Sequence, residues 1–242
     1  MSGHSKWNNI KNKKAKTDAA KGKIFTKIGK EIAICVREGG GDPNTNGKLR
    51  DLISKAKAAN VPNDNIDRAI KKAMGADAVQ YEEIVYEGYG PCGVAVIVDT
   101  MTDNRNRTAG EIRHYFDKYG GNMGAANCVS WSFDKKGVIV IDNEDEELDE
   151  DTVMMEALDA GADDFEPDGE TFVVYTKPDD VAPVADKISA AGYNLLSAQV
   201  EMLPQNGYIK LTNEDDIKNM QKMLDMFDDN EDVQNVWHNW EE

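Results

Sequence analysis

Apolar side chains recur every three or four residues through much of the first third of the chain, which is the spacing of a helix with one buried face. The pattern predicts three helices: 21–38, 46–60 and 63–74. Glycines at 39–41 and Pro62 stand between them, and both residue types commonly end or follow helices. We therefore expect a small helical bundle over residues 21–80.

After about residue 80 the spacing changes to short extended runs that alternate with helical segments. The predicted strands are 81–87, 93–99, 128–133, 137–141, 163–166, 171–175, 196–203 and a short extended segment at 233–239. The predicted helices are 104–119, capped by Thr102 or Asp103, then 152–160, 179–191 and one capped by Thr212. The order βαββαβ over 137–203 is that of a ferredoxin-like domain, so the pattern predicts an α+β protein.

The segment that precedes this βαββαβ unit has the order ββαβ and lacks a second helix and strand. The tail of the chain supplies one of each, so we predict that the ferredoxin-like unit is inserted into a discontinuous domain. The predicted parts are a flexible basic arm at 1–20, a helical bundle at 21–80, an α+β domain at 81–134 plus 205–242, and an inserted α+β domain at 135–204. Both α+β domains are expected to be ferredoxin-like.

Charge is divided unequally along the chain. The formal net charge is −17, yet residues 1–80 hold 17 Lys and Arg against 8 Asp and Glu, a local net charge of +9. The remaining residues therefore carry −26. A basic segment attached to an acidic body is typical of a protein that binds a polyanion. The alternative is that basic and acidic faces pair with each other between domains.

Several classes of protein are disfavoured by the sequence. It has no apolar run near the roughly 18 residues that span a bilayer, and no apolar signal segment near its start. Its three cysteines are odd in number and widely spaced, which predicts a reducing compartment and hence the cytoplasm. Phosphate-binding loop, HExxH and catalytic-triad patterns are absent, so we expect no enzyme activity, cofactor or metal. Glu87, Asp99 and Asp103 are the carboxylates to consider for a metal-dependent nuclease, a remote alternative.

The lysine-rich start of the chain is the first candidate nucleic-acid-binding segment. Only Trp7 and Ile10 are sizeable apolar residues there after Met1, too few to offset the entropy of ordering the chain. The candidate cations, which continue onto the first helix, are Lys6, Lys11, Lys13, Lys14, Lys16, Lys21, Lys23, Lys27 and Lys30. Lysines on a mobile segment displace counterions from phosphates, and Trp7 is a candidate to stack on an unpaired base. The alternative is a solvated tail that Trp7 pins to the bundle.

A second candidate contact lies where a predicted strand meets a predicted helix. Arg105, Arg107 and Arg113 follow this junction, and a helix N-terminus with guanidinium groups beside it attracts anions. The alternative is a capping loop whose arginines pair with carboxylates of the acidic body, such as Glu87 or Asp99.

The acidic stretch 142–151 is expected to be a solvated loop. An alternative is that its carboxylates imitate phosphates and hold the basic arm until nucleic acid competes for it.

Six blocks of sequence together resemble the YebC-like family. They are GHSKW at 3–7, GKIFTKIGKEI at 22–32, GGGDPNTNGKLR at 39–50, VPNDNIDRAIKKA at 61–73, YEGYGPCGVAVIVDTMTDNRNRT at 86–108 and FDKYGGNMG at 116–124. The resemblance extends over essentially the whole chain. One departure lies at 19–22, where Ala-Ala-Lys-Gly replaces the family's usual Ala-Lys-Arg-Gly and removes a guanidinium group.

This resemblance implies a helical N-terminal domain followed by two α+β domains. It also implies a probable transcriptional regulatory, DNA-binding protein of the cytoplasm. Mitochondrial and bacterial relatives are tied to translation, including help with proline-rich stretches, which gives a ribosome-associated factor contacting rRNA or tRNA as the alternative. In both cases the acidic α+β body is a candidate surface for a protein partner.

Overall fold

The computed structural model describes residues 21–144 and 148–241. Within these ranges the chain forms two compact units. One holds residues 21–130 and Leu211–Trp240 and is here called the bundle-containing unit; the other, Trp131–Lys210, is called the inserted unit. Helices and antiparallel sheets occur together, so the predicted α+β class is confirmed. The predicted arm at 1–20 lies outside the described residues.

The helices and strands follow one another in this order: α1 (Lys21–Gly39), α2 (Gly47–Ala58), α3 (Asn63–Ala73), β1 (Glu82–Tyr89), β2 (Ala95–Thr102), α4 (Arg105–Lys118), β3 (Asn122–Met123), β4 (Phe133–Asp142), α5 (Glu150–Ala160), β5 (Asp164–Asp168), β6 (Thr171–Thr176), α6 (Val181–Ala190), β7 (Leu195–Pro204), β8 (Ile209–Lys210), α7 (Glu214–Asp229), β9 (Val233–His238) and β10 (Trp240–Glu241). In the described ranges, no helix combines the length and apolar character that a membrane crossing requires.

The first three helices share one apolar core, as their hydrophobic spacing predicts. Ile32 and Leu49 are almost completely buried in it, together with Ile66 from α3. Asn46 connects the end of α1 to the start of α2 from a buried position. Its side-chain oxygen accepts the Leu49 N–H at 3.1 Å, while its amide nitrogen donates to the Cys35 carbonyl oxygen at 2.9 Å. This N-cap satisfies backbone groups that both helix ends would otherwise leave unpaired.

The sheet of the bundle-containing unit joins segments that are distant in sequence. Its antiparallel strand order is β3-β1-β2-β9, and Val236 of β9 lies opposite Val98 of β2. The ferredoxin-like arrangement expected for this sheet is wrong, because its two central strands, β1 and β2, form a hairpin and are not separated by an α-helix. Helices α4 and α7 contribute Phe116 and Phe227, whose rings meet edge to face with centroids 5.2 Å apart. Both rings are completely buried. The last segment of the chain therefore completes both the sheet and the core of a unit that begins before β1.

The inserted unit is built from strands that are contiguous in sequence. Its antiparallel order β5-β6-β4-β7, with α5 and α6 in the two crossovers, is the split βαβ arrangement. Apolar residues of β4 and β6 pack with those of α5 and α6, including Ile139, Val153, Val174 and Ile188.

The largest difference from the predicted elements concerns residues 128–133, where we expected a strand. Residues 130–132 form a short 3-10 turn, and β4 begins only at Phe133 and continues unbroken to Asp142. The Glu87 carboxylate accepts the backbone N–H groups of Val129 and Ser130, at 2.8 and 2.9 Å. Those donors are therefore occupied and cannot join a strand ladder.

Helix starts differ from the predictions in a smaller way. Asn104, rather than Thr102 or Asp103, caps α4 by accepting the Arg107 N–H at 3.1 Å. Asn213, rather than Thr212, caps α7. In each case the cap is the Asn immediately before the helix, and Asn is among the strongest N-cap residues.

Replacing Phe227 with alanine tests the contribution of the tail to this core. We expect Phe227→Ala to lower the free energy of unfolding by about 3–5 kcal/mol, because a fully buried aromatic ring is lost and a cavity remains. Urea unfolding followed by circular dichroism measures the change. Met155→Ala is the control, since Met155 is exposed on α5 and its loss is expected to cost less than about 0.5 kcal/mol. Equal effects of the two substitutions would contradict this account of the core.

Candidate nucleic-acid interface

Most of the predicted arm residues lie outside the described part of the chain. They are Lys6, Trp7, Lys11, Lys13, Lys14 and Lys16, and their role stays a prediction. Lys21 is the first residue of α1.

The helical bundle carries many cations on its surface. Residues 21–80 contain 12 Lys and Arg against 7 Asp and Glu, a net charge of +5. The exposed members are Arg37, Lys48, Arg50, Lys55, Lys57, Arg68, Lys71 and Lys72. Ion pairs within the bundle involve some of them, for example Lys55 with Glu31 at 3.0 Å. The excess of positive charge is thus present on the folded bundle as well as on the arm that precedes it.

Candidate lysines on α1 occupy two different environments. Lys23 is partly exposed, and its Nζ lies 2.5 Å from Oδ1 of Asp229, which is mostly exposed. Lys27 is half-buried on the same helix. Lys30 is only 7% exposed and donates hydrogen bonds to Asp232 at 2.5 Å and to the Glu231 carbonyl at 2.9 Å. Contrary to our expectation, Lys30 is an interior residue, so we exclude it from the nucleic-acid-binding surface.

Asp232 is the buried acceptor at the centre of a polar cluster of which only Arg107 is exposed. Its carboxylate accepts hydrogen bonds from Lys30 and, on α4, from Arg107 at 2.6 Å and Thr108 at 2.8 Å. Thr102, at the end of β2, donates to the same carboxylate at 3.2 Å. We call these five residues the Asp232 cluster. Because they come from α1, β2, α4 and the segment between α7 and β9, the cluster joins the helical bundle to the sheet beside it.

The protonation of Asp232 reflects two opposing effects. Burial alone would raise the pKa of its carboxyl group, but hydrogen bonds from Arg107, Lys30 and Thr108 outweigh burial and lower the pKa to about 2. The pKa of Arg107 is raised by its hydrogen bonds to Asp232 and Asp103, and the bond to Asp232 has the larger effect. At neutral pH the cluster therefore contains a carboxylate with two cationic partners.

The arginines at the start of α4 contact carboxylates, although not the ones we named. Arg105 donates to Glu82 through Nε at 3.2 Å and through Nη2 at 2.8 Å. Arg107 donates to Asp103 at 2.9 Å as well as to Asp232. Glu87 and Asp99, the partners suggested from the sequence, are not those used. A phosphate at this helix start would compete with carboxylates already bound to the guanidinium groups, whereas Arg113 lies exposed farther along α4.

The pocket beside this helix start is acidic. It has a volume of about 520 Å³, and its walls include Asp103, Glu111, Asp229 and Glu231. Five acidic residues line the pocket against two cations, Lys30 and Arg107, and both cations are already paired with Asp232. The net charge of the lining therefore repels phosphate. The arrangement suits cations better than nucleic acid.

The carboxylates considered for a nuclease lie in separate environments. Buried Glu87 holds backbone N–H groups of residues 127, 129 and 130. Asp99 accepts a hydrogen bond from Asn235 at 3.4 Å, and Asp103 pairs with Arg107. Within 21–144 and 148–241, no group of three or more His, Cys, Asp or Glu residues is placed to hold a metal ion.

The acidic stretch 142–151 is described only at its ends, since 145–147 lie outside the described residues. Asp149 caps α5 through the Thr152 N–H at 3.0 Å, and hydrogen bonds from Thr152 lower the pKa of its carboxyl group. Asn143 accepts the Leu148 N–H at 3.0 Å. These side chains stabilise the local backbone; whether the stretch holds the basic arm stays a prediction.

Removing the central carboxylate tests the Asp232 cluster. We expect Asp232→Asn to lower the free energy of unfolding by about 3–5 kcal/mol, because buried Lys30 loses its counterion. Asp229→Asn is the matched control, since it breaks the more exposed Lys23 pair and is expected to cost less than about 1 kcal/mol. Urea unfolding at neutral pH measures both variants, and a cost for Asp232→Asn no larger than that of the control would rule out this role.

The same cluster predicts a dependence of stability on acid. An aspartate in the unfolded chain has a pKa of about 3.9, so the lowered pKa of Asp232 means that the folded state favours the carboxylate. Its stabilisation is complete above about pH 5 and is lost as the pH falls toward 2. Urea unfolding from pH 7 to pH 3 should show a smaller decline for Asp232→Asn than for the unmodified chain. Asp229→Asn should retain the steeper decline.

Comparison with known proteins identifies the family. Residues 5–76 match the family model described as "TACO1/YebC protein N-terminal domain", and residues 81–240 match "TACO1/YebC second and third domain". A protein of Acetivibrio thermocellus is 58% identical over 99% of both chains. One of Clostridium beijerinckii is 57% identical over 100% of this chain and 97% of its own. Both are named "Probable transcriptional regulatory protein", which supports a regulatory role.

A solved structure agrees with the sequence relatives. The crystal structure of a conserved hypothetical protein from Aquifex aeolicus matches with a TM-score of 0.81 at 40% identity, over 94% of this chain and 93% of that one. The resemblance found in the six sequence blocks is therefore confirmed: the chain belongs to the TACO1/YebC family.

Proposed function

We propose that this protein is a non-enzymatic regulator of gene expression that acts by binding nucleic acid, with DNA as the first candidate target. The observation that carries the proposal is the division of charge, +9 over residues 1–80 against −26 over the remainder. A basic segment attracts phosphates, while an acidic body limits non-specific adhesion. The names of the relatives as probable transcriptional regulatory proteins support the same role.

The proposed contact surface consists of the arm and the exposed cations of the bundle. Lys21, Lys23 and Lys27 would continue the charge of the arm along the first turns of α1. Arg105, Arg107 and Arg113 would form a weaker second contact, because the first two must exchange carboxylate partners for phosphate. The acidic α+β body would recruit a protein partner, and the odd number of cysteines favours the cytoplasm.

Binding to the ribosome is the second candidate function, and the sequence of α3 favours it. In a helix-turn-helix protein, the N-terminal residues of the second helix contact base edges in the major groove. Helix α3 follows α2 after a short connection, yet its first turns carry the exposed carboxylates of Asp64 and Asp67. Those charges would oppose close approach to duplex DNA. A lysine arm reads charge rather than sequence, so an RNA-lined cavity on the ribosome suits it equally well.

Neutralising the arm tests the proposed function. A variant with Lys6, Lys11, Lys13, Lys14 and Lys16 all changed to Gln should bind nucleic acid more weakly. A plot of the logarithm of its binding constant against the logarithm of the salt concentration should have a slope that is less steep by up to about 4 to 5, because fewer counterions are released on binding. Fluorescence anisotropy over a range of salt concentrations measures both effects.

The matched control removes the same charge elsewhere. It changes five exposed lysines outside the bundle to Gln: Lys135, Lys177, Lys210, Lys218 and Lys222. This variant should retain the affinity and salt dependence of the unmodified chain. Identical behaviour of the arm variant and the control would show that total charge, rather than the arm, sets binding.

Comparing targets distinguishes the two functions. Co-sedimentation with ribosomes that is lost in the arm variant, together with weak binding to duplex DNA, would favour the translational role. Tight binding to particular duplex sequences without ribosome association would favour transcription. Absence of arm-dependent binding in both assays would reject the proposal.

A further inference from the structure

A groove runs between α1 and α3 on the helical bundle and has a volume of about 400 Å³. Two aromatic residues, Phe25 and Tyr81, and small residues such as Ala69 are among those that line it. Arg68 and Lys72, one helical turn apart on α3, line the same groove and are exposed. This volume falls in the range of small-ligand sites.

Gly29 keeps part of this groove open. It lies in the interior of α1, where glycine is less favourable than alanine, so a helix gains nothing locally from it. A Cβ atom built at Gly29 would meet no atom within 4 Å. By contrast, a Cβ at Gly88 would lie 2.5 Å from the Asn122 carbonyl oxygen, so close packing requires that glycine. Packing within the protein does not require Gly29, and a larger side chain there would fill space in the groove.

The charge of the groove's own lining favours an anionic ligand at the part that Arg68 and Lys72 form, away from the residues Thr26, Lys30 and Tyr81 that it shares with the acidic pocket. Its titratable lining comprises Lys30, Arg68, Lys72 and Tyr81, with no Asp or Glu among the residues that line it. Lys30 is neutralised by Asp232, so Arg68 and Lys72 supply the net positive charge. Arg and Lys beside a cleft are the usual partners of phosphate groups.

The aromatic residues of the groove favour a flat ring. Phe25 is half-buried and packs on the bundle core. Tyr81 is half-buried, and the Nζ of Lys30 lies 5.6 Å from the centre of its ring, a contact that helps to fix the position of the ring. Aromatic walls next to cations are how proteins bind the bases and phosphates of single-stranded nucleic acid.

We propose that this groove binds an unpaired base of a single-stranded nucleic acid, with Arg68 and Lys72 holding the adjacent phosphates. This inference rests on the proposed function and names where one base would be bound. A base within a duplex is stacked and paired, so it cannot enter such a groove without leaving the helix. The site therefore favours single strands over duplexes of the same sequence.

Filling the groove tests the inference, with the unmodified arm present in every protein. The variant is Gly29→Leu, and the control is Gly110→Leu. Gly110 is likewise inside a helix, α4, and a Cβ there also meets no atom within 4 Å, but it lies outside the groove. Neither change should lower the midpoint of thermal unfolding, because leucine favours helices more than glycine does.

The probe is a short single-stranded DNA that contains one 2-aminopurine, whose fluorescence falls when it stacks on an aromatic ring. A second strand has an abasic site in its place, and a third is a duplex of the same sequence. Gly29→Leu should weaken binding of the base-containing strand about tenfold or more, which corresponds to the loss of one stacked base. Its affinity for the abasic strand and for the duplex should stay within about twofold of that of the unmodified chain. Gly110→Leu should bind all three probes with the affinity of the unmodified chain.

The outcomes separate this inference from the proposed function. The groove does not hold a base if the unmodified chain binds the abasic strand as tightly as the base-containing strand. The same conclusion follows if Gly29→Leu binds both strands as tightly as the unmodified chain does. In either case, arm-dependent binding would still support the proposed function. Binding of none of the three probes by the unmodified chain would overturn this inference, and the ribosome assay would then decide the proposed function. An oligoglutamate peptide provides a further test. If it displaces the strand from the unmodified chain but not from Gly29→Leu, the groove is a site for acidic peptides and the assignment to a base is overturned.

A pair of neighbouring lysines tests the phosphate contact separately. Lys72 lines the groove, whereas Lys71 is exposed on the same helix but lies outside it. Lys72→Gln should weaken binding of the single strand at least threefold more than Lys71→Gln does, although both remove one charge. Equal effects would show that the cations act only as a diffuse field and would overturn the proposed contact.

Discussion

The buried ion pair between Lys30 and Asp232 constrains how the parts of the bundle-containing unit fold together. A charged ammonium group in the interior is costly unless a carboxylate and further acceptors surround it, and the Asp232 cluster supplies them. Since the acid comes from the segment after α7 and the base from α1, the pair is made only when both ends of the unit are folded together. The pair thus stabilises the bundle and also fixes the position of α1 relative to the segment between α7 and β9.

The cations of this unit therefore have two distinct roles. Lys30 and Arg107 belong to the Asp232 cluster, where their charges are compensated inside or at the edge of the protein. Arg68, Lys71 and Lys72 remain on the surface of α3 and contribute to its external field. Counting charges along the sequence does not separate these roles, because the same residue types serve both.

The elements of the fold were largely predictable, since apolar periodicity depends on local sequence. All three bundle helices begin and end within about two residues of their predicted bounds, and the tail supplies a helix and a strand as expected. The strand predicted at 128–133 was wrong because its backbone donors bind Glu87, a contact between residues about 40 positions apart. No local pattern records such a contact.

The candidate site was less predictable. Burial of Lys30 depends on Asp232, 202 positions away, and lysine is ordinarily a surface residue. The groove between α1 and α3 went unrecognised, although a glycine inside a strongly periodic helix and two cations four residues apart were visible in the sequence.

The pairing of β9 with β2 also has a consequence for how the chain is made. During synthesis, one edge of β2 can pair with β1 as soon as both strands have emerged. The other edge stays unpaired until residues 233–238 have been made. The ring of Phe116 likewise lacks its core contact until Phe227 has been synthesised. The strands of the inserted unit are all synthesised before then, so this unit is able to fold first. Nascent chains of this protein therefore keep an unpaired strand edge while residues 103–232 are synthesised, the kind of surface that chaperones protect from aggregation.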